Sequence, residues 1–125
     1  MIDHVSLGVR NVEQSKRFYD ATLRPLGYRC LSSSAESAGY GAEAPALWLN
    51  ATQWPVPPDT RSGLHFCFAA PSRKAVDAFH AAGLAAGGRD NGPPGLRCDY
   101  GAGYYAAFLV DPDGYRIEAY FPERA

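Results

Sequence analysis

Cysteine is scarce in this sequence, and charge of one sign never accumulates. The 125 residues hold three cysteines, Cys30, Cys67 and Cys98, an odd number with no C-x-x-C pair. That excludes a disulfide framework or a structural zinc site as the organising device and points to free thiols in a reducing compartment, with the cytoplasm as the expected location. Twelve Lys+Arg stand against thirteen Asp+Glu and neither sign forms a run, so there is no basic footprint for a phosphate backbone and nucleic acid is not an expected partner. Long hydrophobic runs are missing as well. The longest near-continuous apolar stretch, Tyr104 to Val110, is far short of the roughly 20 residues that span a bilayer, and the opening Met1-Ile2-Asp3-His4 carries no basic segment followed by an apolar one. A soluble, unprocessed chain is expected. What is present is 46% apolar and 20% charged residues, enough for one core in a single domain over residues 1–125.

The chain repeats itself. His4-Val5-Ser6-Leu7-Gly8-Val9, then Phe18, Leu23 and Gly27, match His65-Phe66-Cys67-Phe68-Ala69-Ala70, then Phe79, Leu84 and Gly88, each pair 61 positions apart. A period near half the chain predicts a duplicated module packed as a pseudo-symmetric pair. Each module opens with the period-2 alternation of a half-buried strand: Val5, Leu7 and Val9 against His4, Ser6 and Gly8; Leu64, Phe66 and Phe68 against His65, Cys67 and Ala69. A helix follows in each, capped by Asn11 or by Ser72. Short strands are predicted near 28–33, 37–42 and 46–51, and near 91–97, 104–110 and 115–121. Asp111-Pro112-Asp113-Gly114 is the strongest turn signal in the chain and joins the last two as a hairpin. The prediction is an α+β fold of two βαβββ modules, 1–51 and 62–122, joined by a proline-rich linker at 52–61, around a shared cavity in a half-open barrel.

If the helices cover the apolar strand faces, the polar faces line that cavity. His4 and His65 occupy equivalent positions there, and Glu118 joins them because Tyr115, Ile117, Ala119 and Phe121 form the apolar row of the last strand. Two imidazoles and a carboxylate on rigid strands suit a divalent metal with open positions for water or substrate. Mixed N/O ligation admits Zn, Ni, Co, Mn or Fe(II). Trp48 faces the same space as an apolar wall or a stacking platform for a flat molecule. Pairing Val110 with Tyr115 sets Ala107 opposite Glu118 and Tyr105 opposite Tyr120, so both tyrosines are expected to face inward as phenolic proton donors. The Gly/Pro-rich loop 93–103 lies beside the mouth and offers Arg97 and Tyr100 to a substrate. His80, mid-helix, is expected to be solvated, and Cys67 to be a small structural cysteine. Gly101-Ala-Gly103-Tyr-Tyr-Ala106 matches a dinucleotide fingerprint by letter only, since a strand follows it.

The pieces His4-Val-Ser-Leu-Gly-Val-Arg-Asn-Val-Glu-Gln-Ser-Lys-Arg-Phe-Tyr, Pro25-Leu-Gly-Tyr, His65 at the head of a strand, and Asp111-Pro-Asp-Gly-Tyr-Arg-Ile-Glu118 resemble the vicinal oxygen chelate superfamily. That group includes glyoxalase I, extradiol dioxygenases, fosfomycin-resistance enzymes and bleomycin-resistance proteins. The resemblance covers almost the whole chain. It implies paired βαβββ modules, a homodimer, and a divalent metal chelated by adjacent oxygens of a small-molecule substrate, with His4, His65 and Glu118 at ligand positions. Trp48 stands where metal-dependent glyoxalase I carries an acidic ligand, which argues against that isomerase reaction. Two readings follow: a metal-dependent lyase, isomerase or ring-cleaving dioxygenase, and a metal-free sequestering protein of the bleomycin-resistance type.

Overall fold

The computed structural model describes residues 1–56 and 59–122. Two four-stranded sheets share one topology. In the first, β1 (Val5–Val9), β2 (Arg29–Ser33), β3 (Ser37–Gly41) and β4 (Leu47–Ala51) lie in the order β1-β4-β3-β2. In the second, β5 (Phe66–Ala69), β6 (Arg89–Leu96), β7 (Tyr104–Val110) and β8 (Arg116–Pro122) lie in the order β5-β8-β7-β6. The first strand of each unit pairs parallel with the last, β1 with β4 and β5 with β8, and the other pairs are antiparallel. Helix α1 (Val12–Leu23) crosses between β1 and β2, and α2 (Arg73–Ala85) between β5 and β6. The fold is thus the expected α+β pair of βαβββ units, and the sheets stay open as a half-barrel. Of the expected linker, Pro57 and Pro58 lie outside the described residues, as do 123–125.

Local chemistry explains the elements. The Asn11 side chain accepts from the Gln14 backbone N–H at 2.9 Å and that of Ser72 from the Ala75 N–H at 3.0 Å, each satisfying one of the free amides at a helix start. The α1 stripe of Val12, Ser15, Phe18, Tyr19, Thr22 and Leu23 is buried throughout. It meets α2 where Gly83 lets the helix approach the sheet: a Cβ there would lie 2.2 Å from Leu109 Cδ1. The core runs between sheets and helices through Phe18, Tyr19, Leu49, Phe79, Leu109 and Ile117. His80 departs from expectation. It is buried, because its Nε2 reaches Asp90 Oδ1 at 2.8 Å and so ties α2 to β6.

The turn after β7 joins the two units. Asp111 Oδ1 accepts from the amides of Asp113 and Tyr115, and Asp111 Oδ2 accepts from Tyr19 of α1 at 2.6 Å. Asp113 accepts from Ser15 and from the Arg10 backbone and side chain, while the Tyr115 hydroxyl donates to Gly8 O at 2.8 Å. A hairpin turn of the second unit is therefore anchored under the first strand and helix of the other.

Candidate functional site

Register decides which side chains face the open side of the second sheet, because paired residues share a face and neighbours along a strand alternate. Phe108 stands opposite Glu118, and Cys67 pairs with Glu118 from the other side. Ala106 lies opposite Tyr120 and Gly95 opposite Ala106. The concave face thus carries Cys67, Glu118, Tyr120, Tyr104, Phe108 and, two residues before Cys67, His65.

Glu118 is the floor of this face. It is 1% exposed, and a buried carboxylate is costly unless its oxygens are satisfied. Both are: Oε1 lies 2.9 Å from His65 Nε2, and Oε2 accepts from the Tyr104 hydroxyl at 2.6 Å. Burial and the Glu118 carboxylate push the Tyr104 phenol well above its ordinary range, so it stays a donor. The Cys67 thiol is pushed up to about 12 by burial and by the Glu118 charge, which keeps it neutral. His65 remains open, with 45% of its side chain exposed. Tyr104 stacks on Tyr120 with ring centroids 3.9 Å apart and 18° between planes, and Tyr100 meets Tyr104 edge-on at 5.3 Å.

Tyr105 is corrected. The connection between β7 and β8 is five residues, closed by the Asp111 N–H to Tyr115 O bond at 2.8 Å, so Val110 pairs with Arg116 and not with Tyr115. That one-residue slip moves Tyr105 to the helix side, where its hydroxyl donates to Asp77 at 2.6 Å and the Arg73 guanidinium lies 5.0 Å from its ring centre. Tyr104 takes the inward place. Alternation along 104–110 carries the signal, and the turn length decides which parity faces inward. Tyr120 lies on the concave face, and Arg97 and Tyr100 flank it from the end of β6 and the loop beyond. β6 begins two residues earlier than expected, at Arg89, and carries Pro93 and Pro94, which an edge strand tolerates.

Trp48 lies on the equivalent face of the first sheet. It is paired with Ser6 and with Gly39, whose missing Cβ leaves room for the indole: a Cβ there would come within 2.7 Å of Cζ3. His4 hydrogen-bonds to its neighbour Asp3 at 2.7 Å. It lines one cavity of about 870 Å³ with His65 and Cys67, walled by Val5, Leu47 and Phe68. Among the described residues, however, no three His, Cys, Asp or Glu side chains gather tightly enough to hold a metal ion. The His4–His65–Glu118 set does not assemble within one chain.

The profile of the Glyoxalase/Bleomycin resistance protein/Dioxygenase superfamily matches residues 1–119. The chain belongs to this superfamily. A glyoxalase/bleomycin resistance protein from Albidiferax ferrireducens T118 is 36% identical, with 97% of this chain and 98% of that one covered and a TM-score of 0.83. A glyoxalase-related enzyme from Fulvimarina pelagi is 20% identical over 97% of this chain and 87% of its own, TM-score 0.76. A glyoxalase/bleomycin resistance protein/dioxygenase family enzyme from Burkholderia phytofirmans PsJN is 18% identical over 98% of both, TM-score 0.73. The last two share the fold. No curated protein matches the sequence. Membership of the superfamily implies a small-molecule ligand, and its members often bind a divalent metal. Of the three implied ligands His65 and Glu118 lie side by side, while His4 lines the same cavity as His65 without closing to a three-ligand cluster among the described residues.

Proposed function

We propose that the protein is a cytoplasmic small-molecule enzyme whose reaction centre is the His65–Glu118 pair on the second sheet. The observation that carries this is Glu118, a carboxylate buried on the floor of an open face, with an exposed imidazole on one oxygen and a phenol on the other. An accepting Glu118 oxygen requires the imidazole proton at Nε2, which leaves the Nδ1 lone pair free. Nδ1 faces Gly63 O at 3.5 Å, the outer limit of hydrogen-bond reach. His65 is thereby oriented to take a proton from a substrate, Glu118 to stabilise the imidazolium that results, and Tyr104 to hold Glu118 in place. Tyr120 presents a second phenol to a substrate oxygen, while Tyr100, Arg97 and Trp48 border the space as binding groups. The three cysteines are free, which supports the cytoplasm.

A second reading, with a metal, is favoured by the cavity that His4 and His65 share. β1 and β5 are each the terminal strand of their sheet, so a homodimer that sets β1 of one copy against β5 of another would bring His4 to His65 and Glu118. An ion held there by His4, His65 and Glu118 would supply Lewis-acid polarisation of adjacent substrate oxygens, the chemistry of a lyase, isomerase or dioxygenase. Elemental analysis and sedimentation of untagged protein distinguish the two readings. About one equivalent of transition metal in a dimer, lost in both His4→Ala and Glu118→Gln, is the outcome of the second. Turnover that survives chelation and His4→Ala but fails in His65→Ala is the outcome of the first. Ligand binding without turnover, undiminished in His65→Ala, would overturn both and leave a metal-free sequestering protein.

A further inference from the structure

Three arginines gather on the concave face of the second sheet. Arg89 pairs with Val110 and Val110 with Arg116, so these two arginines share the face of Phe108 and Glu118. Arg97 joins them, its backbone N–H donating to Tyr104 O at 2.8 Å. The carboxylate on this face is Glu118, and both its oxygens already accept. Asp77 is engaged by Tyr105; Asp90, held by His80 and the Gly92 amide, also feels the Arg97 charge, and Asp59, held by Arg61, that of Arg116, whose Nη1 donates to Thr60 O at 2.9 Å.

Arg97 is held in a built seat. Its Nη2 donates to Pro93 O at 2.6 Å, and its guanidinium lies over the Phe108 ring, 5.3 Å from the centre. Two glycines make the room: a Cβ on Gly92 would lie 3.2 Å from Nη2, and one on Gly95 would lie 3.3 Å from Nη1. Gly92 has a φ of 146° and so a backbone reason to be glycine, but Gly95 does not have a positive φ. What a side chain at Gly95 would meet is the guanidinium. The far side of the site begins at the same ring, for the His65 imidazole is centred 6.3 Å from Phe108. Among the described residues Pro93 O is the hydrogen-bond acceptor for Arg97, which leaves most of a planar five-donor fork for an oxyanion.

We infer that this face binds a small organic acid, with its carboxylate or phosphonate group on Arg97 and its body lying over Phe108 toward His65. Arg89 and Arg116 contribute field that draws the anion in. This rests on reading the His65–Glu118 pair as the reaction centre, and it adds the charge class of the substrate.

Calorimetric titration of the full chain at low salt with benzoate, phenylphosphonate and neutral benzamide tests it. At least one of the two anions should bind tenfold or more tighter than benzamide. Arg97→Ala should abolish that preference and Arg97→Lys should weaken it, since an ammonium keeps the charge without the fork. Gly95→Ala should reduce the preference several-fold with Arg97 still present, and this variant stands in if Arg97→Ala fails to fold. His65→Ala should keep the anion preference while losing turnover, which separates this inference from the proposed reaction centre. Benzamide binding as tightly as both anions, no binding by either anion, or an anion preference that survives Arg97→Ala overturns the inference.

Discussion

At the residue scale, Glu118 shows how a buried charge is made tolerable by the same neighbours that give it work. Its two oxygens are divided between an imidazole and a phenol, and the phenol is separable. Tyr104→Phe keeps the ring stacked on Tyr120 but removes the donor to Oε2. A buried acceptor left short of one bond costs roughly 1–3 kcal/mol, so urea denaturation should show a loss of that order. Tyr105→Phe, which deletes only an exposed hydroxyl contact to Asp77, should lie within about 0.5 kcal/mol of wild type. Equal effects of the two substitutions would mean that the assignment of Tyr104 to the concave side is wrong. His65 and Glu118 were both legible in the sequence, because strand alternation alone puts them on the polar face. Tyr104 was not, because its side depends on whether the turn before β8 has four residues or five, and Asp-Pro-Asp-Gly reads as four.

At the scale of elements, most boundaries follow from local chemistry: Asn11 and Ser72 cap the helices, and the buried stripe of α1 is the one its spacing implies. What local pattern does not reveal is how closely elements approach. Gly83 sits mid-helix, where alanine is intrinsically better by about 1 kcal/mol. A methyl there would nevertheless meet Leu109, a fully buried side chain with no room to swing, and Thr22 Cγ2 at 3.0 Å. Overpacking of this kind costs about 1–3 kcal/mol, so Gly83→Ala should shift the denaturation midpoint down, against its helix propensity. An upward shift would show that the helix–sheet gap is slack. The burial of His80, and the placing of Arg89 and Arg116 on one face with Arg97, are not legible in the sequence for a related reason. Their partners lie on other strands, and only a register brings them to one place.

At the scale of the whole molecule, the two units are bound through the Asp111 turn, and this junction responds to pH. Burial raises the Asp111 carboxyl to about 6, although Tyr19 and two backbone amides pull the other way. In the unfolded chain the group titrates near 3.8. A folded value above the unfolded one means that its stabilising contribution is complete below about 4 and is lost as pH rises through about 6. By linkage the difference is on the order of 2–3 kcal/mol. Thermal melts should therefore rise as pH falls from 7 to 5, and Asp111→Asn should flatten that rise, because asparagine keeps the acceptor for the Asp113 and Tyr115 amides without a charge. A slope unchanged in Asp111→Asn would assign it to another group.

The four terminal strands of the two sheets are not alike. Two of them, β2 and β6, carry breaks in register, and β6 adds Pro93 and Pro94, which have no N–H to offer. The opposite ends, β1 and β5, pair with their neighbours without a break. Irregular, proline-bearing edges are poor templates for another chain, whereas regular ones are good templates. Growth by strand addition is therefore disfavoured at β2 and β6, which leaves β1 and β5 as the edges a second copy would use.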